Sequence, residues 1–370
     1  MQIRPFKLER YFADYEFSTQ YLLSPSDCES ITLAELLHMA DADNLARWQN
    51  LSLGYTESAG HPLLRAEIAK LYTTVPEQNI VVAAPEEAIF IVMNTLLRPG
   101  DHVITIAPAY QSLYEVAHAI GCGVTPWPVT LQNDQWTLDL NQLETLITPA
   151  TRLLVINFPH NPTGYLPTAD ELRSIVTIAR HHNLHIFSDE MYRWLEYDAA
   201  ERLPALCDLY EQGVALAGLS KAFALPGLRI GWLATQDAAL TQAFLAFKDY
   251  TTICNSAPSE ILGLIALRNQ AVILARNLQI VQRNLTVAEQ FFARHSQLFL
   301  WPKPNAGSTA FPRWLGRGSV EDFCQAVLTQ QGVMIVPDTM FDQANNHFRV
   351  GLGRRNFGEA LARVEQYLGN

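Results

Sequence analysis

The sequence predicts an α/β protein, with a mainly parallel sheet in a large domain and a smaller α+β domain beside it. Two observations carry this. Short runs rich in Val, Ile, Leu and Ala alternate with longer segments of helical period. The runs lack polar alternation, which is the pattern of strands buried on both faces of a parallel sheet. A third observation sets the second domain apart. After about residue 236 the texture changes to long helical stretches followed by short strand-like pieces.

In chain order, the strand candidates are Ile80–Ala83, His102–Ile106, Arg152–Asn157, Leu184–Ser188, Val214–Leu219 and Arg229–Ala234. Helix candidates between them are Glu86–Leu97, Ser112–Ile120, Thr168–His181 and Leu203–Tyr210. Thr168 followed by Glu171 reads as a capping box, in which each side chain meets the other residue's backbone N–H. A long helical stretch then runs to roughly Gln297 with a break near Asn255–Pro258. Strand pieces at Ser308–Trp314, Val333–Val336 and His347–Gly351 follow, with helices at Val320–Gln331 and Phe357–Leu368. We expect a large domain at 41–260 and a small domain made of 1–40 with 261–370.

Composition narrows the function. The 370 residues are 49% hydrophobic and 17% charged, enough for a packed core. A formal charge of -11 makes a poor nucleic-acid or anionic-membrane binder. No uncharged apolar run reaches 18 residues, and the first 15 residues carry charges where a signal core would lie. Neither membrane nor nucleic acid is expected as a partner. The five cysteines are scattered and never in C-x-x-C spacing, which suggests reduced thiols and a cytoplasmic location without a zinc cluster.

Three strand ends fall in succession. Phe158-Pro159-His160-Asn161-Pro162-Thr163-Gly164 follows the first, Asp189-Glu190-Met191-Tyr192 closes the second, and Ser220-Lys221 follows the third. Ligands of open α/β sheets bind outside the carboxyl ends of the strands. If the three strands are parallel neighbours, Asn161, Asp189, Tyr192 and Lys221 share one rim. Such a set has a chemical logic. A desolvated lysine amine forms Schiff bases with carbonyl cofactors. Pyridoxal phosphate needs that lysine, a carboxylate for its pyridine nitrogen and anchors for its phosphate. Asp189 suits the nitrogen, Tyr192 and Asn161 the 3'-oxygen, and Arg229 offers a cation for the phosphate.

The chain resembles the class I/II aminotransferases, pyridoxal-phosphate enzymes of fold type I. The matching stretches begin with Gly54-Tyr55, Gly60, Leu64-Arg65, Pro99-Gly100-Asp101 and Pro108-Ala109-Tyr110. They continue with Asn161-Pro162-Thr163-Gly164, Ser188-Asp189-Glu190-Met191-Tyr192, Ser220-Lys221-Ala222-Phe223, Pro226 to Gly231 and Phe348-Arg349-Val350. Together they span most of the chain. The resemblance implies that Lys221 is the Schiff-base lysine and proton carrier, and that Asp189 partners the pyridine nitrogen. It implies that Asn161 and Tyr192 meet the 3'-oxygen, Tyr110 stacks on the ring, Arg229 holds the phosphate and Arg349 clamps the substrate carboxylate. It assigns Tyr55 to the phosphate of a neighbouring subunit, hence a homodimer with shared sites. The implied reaction is ping-pong transfer of an amino group from an L-amino acid to a 2-oxo acid.

Two departures fall in the phosphate cup. Relatives commonly read Gly-Ala where this chain has Ala84-Pro85, followed by Glu86-Glu87. Pro85 has no N–H to give, though proline suits a first helical turn. Relatives also often carry Ser where this chain has Gly218, leaving Ser220 as the hydroxyl donor. The same lysine, aspartate and arginine serve elimination and cyclisation in this family, so a pyridoxal-phosphate lyase or cyclase of specialised metabolism is the alternative reading. A non-catalytic module of the same fold is a third.

Overall fold

The computed structural model describes residues 2–369. Its centre is an eight-stranded sheet. In chain order the strands are β1 (Ile80–Ala83), β2 (His102–Ala107), β3 (Gly123–Gln132), β4 (Gln135–Leu138), β5 (Thr151–Asn157), β6 (His185–Asp189), β7 (Gly213–Gly218) and β8 (Gly231–Thr235). Across the sheet they run β1-β8-β7-β6-β5-β2-β3-β4. The five strands from β3 to β7 in that row are parallel. β8 runs against both β1 and β7, and β4 against β3.

The apolar runs explain the centre. Every residue of β1, β7 and β8 is buried, as expected where helices cover both faces. All six strands expected from the sequence are present within a few residues. The β3–β4 hairpin is not among the expected strands, and Pro126 and Pro128 within it are unusual for a strand. They are tolerated because both pair only with β2, upstream of the Val129–Gln132 stretch that β4 covers. Asn133 and Asp134 turn the hairpin at φ 48° and 60°, the left-handed pair that a two-residue loop needs.

The helix starts are local chemistry. Helix α1 covers Lys7–Tyr15, α2 Pro85–Leu96, α3 Ser112–Ile120 and α4 Ala169–His181. Thr168 and Glu171 make the capping box ahead of α4 in both directions. Pro85 opens α2 behind Ala84, which gives no side-chain cap. The expected helix at Leu203–Tyr210 is a single turn, Leu206–Leu209, because Tyr210 already adopts the extended backbone that leads into β7. The long stretch after β8 breaks twice. Besides the gap before α5 (Ala257–Arg268), Asn269 bends the chain by 79° into α6 (Gln270–Arg294). Among the described residues no single helix is long and apolar enough to cross a membrane.

The chain's two ends meet. Tyr21–Leu22 pairs in parallel with Val333–Met334. Phe348–Gly351 lies between Thr309–Ala310 and Val336–Pro337, antiparallel to both. The Gly351 N–H donates to the Leu23 carbonyl at 2.7 Å. A Cβ on Gly351 would fall 1.9 Å from the Pro25 carbonyl oxygen, so only glycine lets this strand approach the N-terminal segment. Gly351→Ala is expected to destabilise the protein by at least about 2 kcal/mol, because the clash is with backbone. Chemical denaturation would read this as a lower midpoint, and an unchanged midpoint would contradict it.

Candidate active site

Strands β5, β6 and β7 are parallel neighbours, with Asn157 opposite Asp189 and Asp189 opposite Leu216. Their carboxyl ends therefore open on one side of the sheet. A cavity of about 390 Å³ lies there. Asn161, Asp189, Tyr192, Ser220, Lys221 and Arg229 line it, with Pro85, Tyr110 and Arg349. Of the residues singled out from the sequence, Ala84 and Tyr55 do not. Ala84 caps α2 just behind the wall. Tyr55 is 91% exposed and borders a separate groove with Leu53 and Asn255.

Lys221 follows the end of β7 and its Nζ donates to Ser26 Oγ at 3.0 Å. Asp189 is the last residue of β6 and is buried. Its Oδ1 accepts from the Met191 N–H at 3.0 Å. Burial pushes this carboxyl up to about 6, Glu190 adds to the rise, and the Met191 N–H and Lys221 oppose it. A cation placed against it would reverse the shift.

Asn161 is fixed from below by Asn157, whose Oδ1 accepts from the Asn161 N–H at 2.8 Å. Its own Oδ1 accepts from Arg349 Nη1 at 3.2 Å. Arg349 is 2% exposed, and its Nε donates to the Ser24 carbonyl at 3.0 Å. The guanidinium carbon sits 5.7 Å from the centre of the Phe12 ring and 5.3 Å from that of Phe341. Among the described residues no carboxylate pairs with it, and burial lowers its pKa. A buried cation without an anion calls for one from a ligand.

The expected phosphate corner is built differently from the family pattern. The backbone N–H groups of Glu86 and Glu87 open the first turn of α2 without acceptors among the described residues, which suits an anion. Ser220 Oγ is buried without a partner. Arg229 holds a left-handed backbone at φ 55° and donates to the Pro226 carbonyl. Gly218 has little room for a serine. A Cβ there would stand 3.0 Å from Gly231 Cα and 3.2 Å from Met191 Cε.

The wall facing the strand ends was missed by sequence reasoning. Leu8, Glu9, Phe12 and Glu16, on and just past α1, line the cavity with Ser26 and Asp27. Tyr110 Oη donates to Glu9 Oε1 at 2.7 Å. The signal was the four-residue spacing of Leu8, Phe12 and Glu16, which share one helical face.

An amine, a buried carboxylate without a cationic contact, an unpartnered hydroxyl and a helix N-terminus fit pyridoxal phosphate. Fold and cavity define a pyridoxal-phosphate-dependent enzyme of fold type I. The chain belongs to the family of class I and II aminotransferases, whose pattern matches residues 25–362. Pyridoxal phosphate is its cofactor. It is 29% identical to a capreomycidine synthase of Streptomyces vinaceus over 98% of this chain and 93% of that one. It superposes on a PLP-dependent aminotransferase of Streptococcus suis with a TM-score of 0.91, at 31% identity, covering 100% and 97% of the two chains. It superposes equally, at 26% identity and 100% and 98% coverage, on the PLP-dependent cyclase OrfR.

A stability measurement tests the state of Asp189. Its carboxyl is raised from 3.8 to about 6, so the associated stability is complete below about pH 4 and is lost as pH rises through 6. Two units correspond to about 3 kcal/mol. Asp189→Asn is expected to raise the melting temperature of the cofactor-free protein at pH 8 and to change it little at pH 4. An equal shift at both pH values would contradict this.

Proposed function

We propose that the protein transfers an amino group between an L-amino acid and a 2-oxo acid, with Lys221 as the proton carrier and Arg349 as the carboxylate clamp. The observation that carries this reading is the single cavity shared by Lys221, Asp189, Asn161, Tyr192, Arg229 and Arg349. Pyridoxal phosphate, when bound, supplies a carbonyl carbon for the amino group and a ring that takes up charge from Cα. Ser220, Arg229 and the first turn of α2 would hold its phosphate, Asp189 would face its ring nitrogen, and Tyr110 its ring.

Each residue then has one task. Arg349 binds the α-carboxylate and so fixes Cα relative to Lys221. Lys221 Nζ removes the Cα proton and would return it to the carbon that the cofactor supplies on the far side of the amino nitrogen. Ser26 Oγ, 3.0 Å from Nζ, steadies the amine between these positions. The Asp189 carboxylate stays ionised against a cationic ring nitrogen. Asn161 links the clamp to the ring side, since its Oδ1 already holds Arg349. The α1 face keeps water from the reacting carbon.

The wider expectations belong to the same proposal. A homodimer would put Tyr55 at a partner's phosphate, and its 91% exposure supports an interface role. The five free cysteines support a cytoplasmic location. The division into 41–260 and 1–40 with 261–370 is supported by the pairing of Tyr21–Leu22 with Val333–Met334.

A cyclase or lyase is the second reading, favoured by the names of two relatives that match nearly the full chain. Product analysis separates the two. Equimolar exchange of amino and oxo acids supports transamination, and ammonia or a cyclic amino acid without an acceptor supports the alternative.

Lys221→Ala is expected to lower turnover by at least about a thousandfold, since both proton transfers lose their carrier. Retained turnover would remove Lys221 from the mechanism. Arg349→Lys is expected to raise KM at least about tenfold through loss of the bidentate pair, with cofactor loading unchanged. An unchanged KM would move the carboxylate elsewhere.

A further inference from the structure

A second buried cation, unused by the proposed chemistry, lies beside the first turn of α2. Lys248 ends the helix Ala238–Lys248, and its side chain is fully withdrawn from solvent. Its Nζ donates to Thr252 Oγ1 at 2.6 Å and to Asn255 Oδ1 at 3.4 Å, and stands 3.7 Å from Glu87 Oε1. Burial lowers its pKa, and Glu87 leads the groups that oppose the fall.

Glu87 is the third residue of α2, after Pro85 and Glu86. An acid at this position commonly turns back onto the start of its own helix, where the N–H groups and the helix dipole favour negative charge. It does so elsewhere in this chain. Glu171 accepts from the Thr168 N–H at 2.6 Å, Glu35 from the Thr32 N–H at 2.8 Å and Asp322 from the Ser319 N–H at 3.3 Å. The Glu87 carboxylate turns away from its helix instead. Its Oε1 accepts from the Thr251 hydroxyl, from the Thr252 hydroxyl at 2.7 Å and from the Thr252 N–H at 3.3 Å.

The segment that draws it away is shaped for the purpose. Ile253 holds a left-handed backbone at φ 67°, rare for a β-branched residue. The Lys248 carbonyl accepts from the Thr251 and Ile253 N–H groups at 2.9 and 3.1 Å, and Ser58 Oγ donates to the Ile253 carbonyl at 2.7 Å. A Glu87 carboxylate free to swing back would occupy the donors at the start of α2 and repel a second anion there. We propose that Lys248 is a positioning residue for the cofactor: it holds and neutralises the Glu87 carboxylate, and so keeps the first turn of α2 open to the phosphate. The proposal rests on the reading that places the phosphate at this turn.

The test titrates cofactor-free protein with PLP and, separately, with pyridoxal, which lacks the phosphate. Absorbance of the bound cofactor gives an apparent Kd for each. Lys248→Met is expected to raise the Kd for PLP at least about tenfold, the scale of a lost charge-assisted contact, and that for pyridoxal by less than about threefold. Lys248→Met combined with Glu87→Gln removes both charges, and is expected to return the Kd for PLP to within about threefold of wild type. A purely structural role for Lys248 would weaken both ligands alike and would show no such recovery. An unchanged Kd for PLP in Lys248→Met would overturn the proposal, and so would an equal loss for the two ligands. Glu87 left buried without its cation is costly, so Lys248→Met alone can fail to fold. The double variant then decides, and a loss of PLP affinity of about tenfold or more in it would overturn the proposal. Equal binding of PLP and pyridoxal by the wild-type protein would instead remove the phosphate from this corner, which is failure of the underlying reading.

Discussion

A guanidinium that is 2% exposed and touches no carboxylate is costly, by several kcal/mol for an uncompensated ion. Arg349 is kept in that state by groups from three separate parts of the chain. The Ser24 carbonyl accepts from one side, Asn161 Oδ1 from another, and the Phe12 and Phe341 rings cover the flat faces. Ser24 also donates to the Arg349 carbonyl and accepts from the Val336 N–H, so one serine ties the N-terminal segment to two C-terminal strands. The cavity exists where it does because these contacts pull the chain's two ends over the rim of the central sheet.

The rim supplies the complementary half. Asp189 ends one of three adjacent parallel strands, and Asn161 and Lys221 lie within four residues of the ends of the other two, so the sheet brings them together. Asp189 carries the opposite electrostatic cost to Arg349, an acid whose burial outweighs the opposing pull of Lys221. A molecule with a cationic ring nitrogen at one place and a carboxylate at another relieves both. Binding energy is thus stored in the cavity as buried charge, a form of preorganisation that acts on whatever occupies it.

Much of this was legible in the sequence. Strands buried on both faces announce themselves as unbroken apolar runs, and Asn161, Asp189 and Lys221 follow such runs directly. Arg229 and Arg349 were found because short motifs surround them. The α1 wall was harder to see. Glu9 and Glu16 reach the cavity only because the segment after them pairs with Val333–Met334, a contact more than 300 residues away in sequence. Gly218 shows the same limit. Its lack of a hydroxyl was plain, but the reason, Met191 and the Gly231 backbone crowding the position, needs the folded sheet. The β3–β4 hairpin was hidden by prolines whose harmlessness depends on which neighbour each residue pairs with.

The central claim is that this cavity brings Lys221 to the Cα proton of an amino acid held by Arg349. Exchange of that proton with solvent tests it without reference to the final product. The PLP-loaded protein is incubated in D₂O with a single amino acid that perturbs its spectrum, and deuterium at Cα is followed by NMR. The account predicts exchange by the wild-type protein and a loss of at least about a hundredfold in Lys221→Ala with cofactor still bound. Exchange at the wild-type rate in Lys221→Ala would contradict it, because another group would then be moving the proton.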